Sequence, residues 1–397
     1  MLNVATVSAG LSALALGATA EAAAQALDVS GTVSIQIRAF PGDAQFSGQS
    51  EHAQIALSAA PEFVWDYDSG LRVRLAPFAR LDSVDDNRSH VDLRQGYVLW
   101  RNGPWEYSIG ADVLFWGVTE SRHLVNIINQ IDALEDVTEE AFLGQPMARA
   151  SFRRGAEQFS FILMTGFRER AFASREGRLR GDDLIGARAE YEAEEERWAP
   201  DFAFRYTLSS GAFDLGLSAF HGTSREPRLI DVGGATLTPL YDRIAQASVD
   251  LQWTNDAWLW KLEALVREGQ DDIFAAAVAG FEWTHPGIGG SAADLGLLVE
   301  YLYDGRGPRA PITALDDDLF VGARLGFNDT QDTALLVGAL ADVGGAARSF
   351  RLEFERRIGS VWTIEITAQA FEGAAPTSPE AAFEEDDFVS VRLSQHF

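Results

Sequence analysis

The chain has 397 residues, 47% of them hydrophobic, no cysteine and a formal charge of -27. Lack of cysteine excludes a disulfide framework and any thiolate-held metal or cluster, and so acidic a balance argues against nucleic acid as a partner. No linker, proline-rich run or low-complexity stretch divides the chain, so one large closed β-domain fits better than two smaller ones.

Leu2 to Thr19 is apolar or small throughout, and Ala22-Ala23-Ala24 before Gln25 forms a small-residue cleavage site. This predicts a secretory signal peptide over residues 1–24 and a mature domain over 25–397. No later run reaches the ~18 consecutive apolar residues of a spanning helix. Such a chain enters a membrane only as a closed barrel, the other way of satisfying backbone polar groups in lipid.

From Thr32 onward the pattern has period two. Val33, Ile35, Ile37 and Ala39 share one face, with Ser34, Gln36 and Arg38 on the other. The stretch Leu71 to Leu81 sets Leu71, Val73, Leu75, Ala79 and Leu81 against Arg72, Arg74 and Arg80. A soluble sandwich does not place three arginines on its inward face, whereas a barrel with lipid outside and water inside explains both faces. The alternation gives 19 segments, among them Ile185 to Ala193, from a region where long loops and short turns lose phase. A barrel with both termini on one side needs an even number, so about 18 strands are expected, with 16 the alternative. The expected fold is therefore all-β, a transmembrane antiparallel up-and-down barrel. Aromatics cluster near strand ends, as at Trp100, Trp105, Tyr107, Trp258, Trp260, Tyr301 and Tyr303, where headgroup girdles form.

Residues 113–146 break the alternation. Leu124, Ile127, Ile128, Ile131 and Leu134 recur at helical spacing and predict a short amphipathic helix. Asp132 followed by Glu135 is a capping-box pattern that starts a second turn running to Phe142, with Gly144 and Pro146 as the stop. So apolar an insertion between strands predicts a partly helical loop folded into the lumen, with a lid over the outside as the alternative. The loop carries Asp132, Glu135, Asp136, Glu139 and Glu140, and predicted lumen positions carry Arg38, Arg72, Arg74, Arg80, Arg94, Arg149, Arg153, Arg188 and Arg205. A basic wall opposite an acidic loop would set a transverse field across a narrow pore and so its selectivity; solvated lumen charges with no such role are the bland alternative.

The acidic runs Asp82, Asp85 and Asp86, Asp316 to Asp318, and Glu384 to Asp387 fall in predicted external loops, as solvated tips or as ligands for divalent cations. Histidines 52, 90, 123, 221, 285 and 396 are dispersed and form no metal-binding pair; no metal and no cofactor are expected. A hydrolase whose Ser, His and acid converge from distant strands remains an alternative to a channel, as does a closed structural or binding barrel.

The last ten residues, Phe388-Val-Ser-Val-Arg-Leu-Ser-Gln-His-Phe397, resemble the terminal strand of Gram-negative outer-membrane barrels. Leu93-Arg-Gln-Gly-Tyr-Val98, Ile109-Gly-Ala-Asp-Val-Leu-Phe-Trp-Gly117 and Ile127-Ile-Asn-Gln-Ile-Asp132 resemble a porin-like family in which a Gly-Arg-Gln…Trp-Gly strand end leads into a long loop. Ala111 and Asp112 replace the Arg-Gln pair here, and Gln130 stands where proline is usual, so no role of that arginine carries over. The resemblance implies a non-enzymatic channel in the cell outer membrane of a Gram-negative bacterium, passing small polar or charged solutes. It implies Phe397 as the insertion signal read by the barrel-assembly machinery, outer-membrane lipid and lipopolysaccharide as surroundings, and a homotrimer or a monomer.

Overall fold

Strands leave every backbone N–H and C=O seeking a neighbour, and in lipid only closure of the sheet supplies them all. The structure, a computed structural model, describes residues 26–51, 53–136, 140–234, 236–375 and 379–397. The predicted signal peptide, His52 and Glu139 lie outside the described residues.

The chain opens with β1 (Ala26–Ala39), β2 (Gln54–Asp66), β3 (Leu71–Asp82), β4 (His90–Asn102), β5 (Trp105–Asp112), β6 (Gln145–Arg154) and β7 (Glu157–Met164). After β8 (Glu190–Tyr191) come β9 (Asp201–Ser210), β10 (Phe213–Thr223), β11 (Arg228–Ile230), β12 (Thr238–Tyr241) and β13 (Arg243–Asn255). The remainder are β14 (Trp258–Glu268), β15 (Phe274–His285), β16 (Asp294–Asp304), β17 (Asp317–Gly326), β18 (Ala334–Asp342), β19 (Arg348–Ile358), β20 (Trp362–Glu372) and β21 (Phe388–His396). Eighteen of these form one sheet, and β8, β11 and β12 form a small separate one. Each barrel strand pairs antiparallel with the next, and β21 pairs with β1 from Thr32↔His396 to Ala39↔Val389, which closes the cylinder. Phe397 completes the seam, its N–H and C=O each bonded to Gly31 at 3.1 Å.

The surplus sequence segment is Ile185 to Ala193. Only Glu190 and Tyr191 in it are strand, and they pair in parallel with β12 away from the barrel. Arg188, expected in the lumen, is therefore exposed in a loop.

Burial is inverted relative to a soluble protein. On β1 the side chains of Leu27, Val29, Val33, Ile35 and Ile37 are exposed, while Ser34, Gln36 and Arg38 are buried. On β14 Trp258, Trp260 and Val266 face out, and Lys261, Glu263 and Arg267 face in. Trp100, Trp105, Tyr107, Trp253, Trp258 and Trp260 are exposed at the end with short turns, and Tyr301 and Tyr303 at the end with long loops. These are the two girdles. Two-residue hairpins at the short-turn end use left-handed residues such as Gly155 (φ 61°), whose twist matches that of the flanking strands.

Candidate constriction

The segment between β5 and β6 crosses the lumen. On one side it touches β3, β4, β19 and β21, and on the other β14, β16 and β17, which lie across the barrel from them. It contains no helix among the described residues, contrary to the periodicity. The physical reason lies in where its apolar side chains go. Leu124 packs with Leu265, Phe274, Leu298 and Phe320 on β14–β17, whereas Val125, Ile127 and Ile128 pack with Met147, Ile162, Met164 and Phe220 on β6–β10. The spacing that imitates one helical stripe serves two walls.

Buried backbone without a helix needs other partners. Glu263, fully buried on β14, accepts from the N–H groups of Val118 (2.6 Å), Thr119 (3.1 Å) and Val125 (3.1 Å) and from the Thr119 hydroxyl (2.8 Å). Glu300 on β16 accepts from the N–H groups of Glu120 and Ser121, each at 2.8 Å, and from the Ser121 hydroxyl at 2.6 Å. Arginines take the carbonyls: Arg225 holds Ile128 O at 2.7 Å, Arg88 holds Leu134 O at 2.8 Å and Arg94 holds Phe142 O at 3.0 Å. Gly117 (φ 153°) admits the turn, since a Cβ there would lie 3.0 Å from His123 Nδ1 and 3.1 Å from Glu263 Oε1. The capping pair leaves one turn only. The Glu135 and Asp136 N–H groups bond to Asp132 O at 3.0 and 3.1 Å, after which Asp132 N–H pairs with Ala141 O.

The acidic tip meets part of the expected basic wall. Asp132 pairs with Arg94 at 2.5 Å, and Glu135 pairs with Arg80 at 2.6 Å. Arg38 is buried with its guanidinium 4.9 Å over the Phe388 ring. Arg72, Arg74 and Arg149 instead pair with Asp66, Glu62 and Glu106 at 2.7, 2.7 and 3.1 Å, and Arg153 with Gln158 at 2.9 Å, all partners on barrel strands outside the loop. Arg205 is bound by Asp250.

Sequence sorting missed Arg392, which shares Glu135 at 2.9 Å, Arg351, which holds Glu140 at 3.0 Å, and Arg324, which holds Glu120 at 2.6 Å. It also missed Glu263 and Glu300. All five sit inward on strands whose side chains alternate in and out, so the same two-residue sorting applied to β14–β21 finds them.

A second cluster ties the segment to the long-loop end. Glu226, in the loop after β10, accepts from Arg267 (2.8 Å), Arg122 (3.3 Å) and Arg306 (3.3 Å), and Arg306 also holds Asp304 at 2.6 Å. Burial pushes the Glu226 carboxyl up, but Arg306, Arg267 and Arg122 outweigh it and hold the group well below the usual carboxylate range.

Three acids of the acidic runs are held by protein groups. Asp82 pairs with Arg88 and Asp386 with Arg178, each at 2.5 Å and buried, while Asp317 accepts the Tyr301 hydroxyl at 2.5 Å. No group of three or more acids and histidines suited to a metal occurs among the described residues. His90 Nε2 is 3.9 Å from Asp132, but that carboxylate is engaged by Arg94 and the other ring nitrogen lies 3.0 Å from Arg88 O. Neither group is set against a hydroxyl.

No family model matches the chain, and no curated protein matches its sequence. Solved structures do match. OccK9 (OpdG) of Pseudomonas aeruginosa is 11% identical with a TM-score of 0.54, covering 95% of this chain and 99% of that one. A BenF-like porin from Pseudomonas fluorescens Pf-5 is 8% identical with a TM-score of 0.52, covering 93% and 98%. The fold is that of outer-membrane porins. The same architecture serves Wzi of Escherichia coli, an outer-membrane carbohydrate-binding β-barrel involved in capsule assembly, at 9% identity and a TM-score of 0.52 over 92% and 84%. At such identities the likeness is one of fold, and function has to be argued from the lumen.

Proposed function

We propose that the protein is a porin-like channel in the outer membrane of a Gram-negative bacterium, through which small polar or charged solutes diffuse passively. One observation carries this reading. The inserted segment packs its apolar side chains against β6–β17 and presents its acidic tip to the other half of the wall. There the inward side chains include Arg351, Glu353, Glu365, Arg392, Arg38 and Arg80. A passage confined to that half would run between charged walls, and fixed charge beside a low-dielectric wall acts on solutes with little screening. Selectivity then rests on Asp132, Glu135, Asp136 and Glu140 facing Arg80, Arg94, Arg351 and Arg392, with Arg38 beside them, and on Glu139 as the remaining acid of the loop sequence. Arg72, Arg74, Arg149 and Arg153 belong to the short-turn vestibule.

Solutes are the working partners. Outer-membrane lipid and lipopolysaccharide surround the exposed apolar face, and the barrel-assembly machinery reads Phe397. Planar-bilayer recording tests the proposal: purified, folded protein should give discrete conductance steps. A folded barrel without steps would instead be a binding or structural barrel.

A further inference from the structure

The loop between β7 and β9 leaves the barrel on one side and travels to the other. Arg168 reaches Asp92 on β4 at 2.8 Å, Asn87 after β3 holds Phe172 O at 2.9 Å, and Ser50 after β1 bonds to Glu176 O at 2.9 Å. At its far point Arg178 is wholly buried among the loops that follow β1 and β20. All five of its N–H donors are used. Nε donates to Asp386 Oδ1 (2.5 Å), Nη1 to Gly42 O (3.4 Å) and Ser50 O (3.2 Å), and Nη2 to Asp43 O (3.1 Å) and Glu385 O (2.7 Å). Its guanidinium also lies 4.7 Å over the Phe40 ring.

Two features set this strap, residues 168–182, apart from the constriction beneath it. No hydrophobic side chain between Phe167 and Ala199 is fully buried, Phe172 and Leu179 being only half-buried, so polar contacts are the main ones that hold it down. Segments with few buried apolar contacts open at low free energy. Leu179, next to the arginine, has φ 59°, a strained conformation for a branched side chain, and its N–H is held by Asp386 Oδ2 at 2.5 Å. Breaking the Arg178–Asp386 pair therefore frees the strap from its main anchor and lets Leu179 relax.

We propose that residues 168–182 form a lid across the long-loop mouth, locked by Arg178 on Asp386, which parts from the loop after β20 to let solutes reach the constriction. The inference rests on the channel reading for its purpose, not for its geometry. The chain has no cysteine, and a Cβ built on Gly181 lies 3.9 Å from Ala382 Cβ, within the roughly 3.5–4.5 Å span of a disulfide. The test is the full-length double variant G181C/A382C in planar bilayers, oxidised and reduced, with hydrogen exchange at the Leu179 amide as a second readout. Oxidation should lower conductance reversibly and slow Leu179 exchange. R178A should speed that exchange about a hundredfold or more, as when one partner of a fully buried ion pair is lost. Complete oxidation that changes neither conductance nor exchange overturns the lid and leaves the channel reading intact. Exchange that responds in a barrel giving no conductance steps keeps the lid and removes the channel.

Discussion

Glu263, inward on β14, accepts the backbone N–H of Val118 at 2.6 Å, from a segment that left the barrel at β5. The same carboxylate takes three further donors, so one side chain replaces most of the hydrogen bonding a helix would have supplied there.

Glu263→Ala should leave the barrel folded but release the segment. Each orphaned buried donor costs about 1–3 kcal/mol, and the outer sheet does not depend on this carboxylate. Heat-modifiable gel migration should persist, while single-channel conductance rises and becomes noisy. Glu263→Gln keeps the shape and one acceptor oxygen, so its effect should be smaller. Quiet, parent-like conductance from Glu263→Ala would mean the segment does not need this pin.

Charge at the tip should set selectivity. Glu135→Gln frees Arg80 and Arg392 together and should raise the anion-to-cation permeability ratio; Arg392→Gln should lower it. Asp316→Asn, on an exposed outer loop, is the control, because its charge is damped beyond a Debye length of ~8 Å at physiological salt. Equal reversal-potential shifts from tip and control would show that the tip is no constriction.

Phe397 closes the seam through Gly31 and is itself 56% exposed. Phe397→Ala should cut the amount of barrel recovered from outer membranes while leaving the conductance of each inserted channel unchanged. Normal yield would remove the residue's proposed role as an insertion signal.

The barrel was legible because a two-residue period has one reading when inward arginines face outward leucines, as in β3. Ile185 to Ala193 was not, because its alternation serves a parallel bridge to β12 among the loops. Within the constriction, Asp132, Glu135 and Glu140 were legible as acids on an insertion that breaks the pattern. Their partners were less so. Arg392 and Arg351 are more than 200 positions away along the chain, and closure of the sheet, not sequence proximity, brings them there. The missing helix has the same origin: Leu124 and Val125 are adjacent in sequence but belong to cores on different walls.

Glu226 gives a pH signature whose sign is fixed by its arginines. Its carboxyl is held below the ordinary value in the folded protein, so the unfolded chain takes up a proton first as pH falls. The stability it contributes is full above the unfolded value of ~4.3 and is lost as pH drops through the folded one. Glu226→Gln leaves Arg267 and Arg122 short of a partner and should destabilise the barrel at neutral pH by up to about 3–5 kcal/mol, the range for breaking a buried pair. The gap between parent and variant, read from urea unfolding in detergent micelles or lipid vesicles, should stay constant from pH 7 to about 5 and then close on further acidification. A gap that widens on acidification would mean that burial, not the arginines, governs this carboxyl, and the Glu226 cluster would then contribute least at neutral pH.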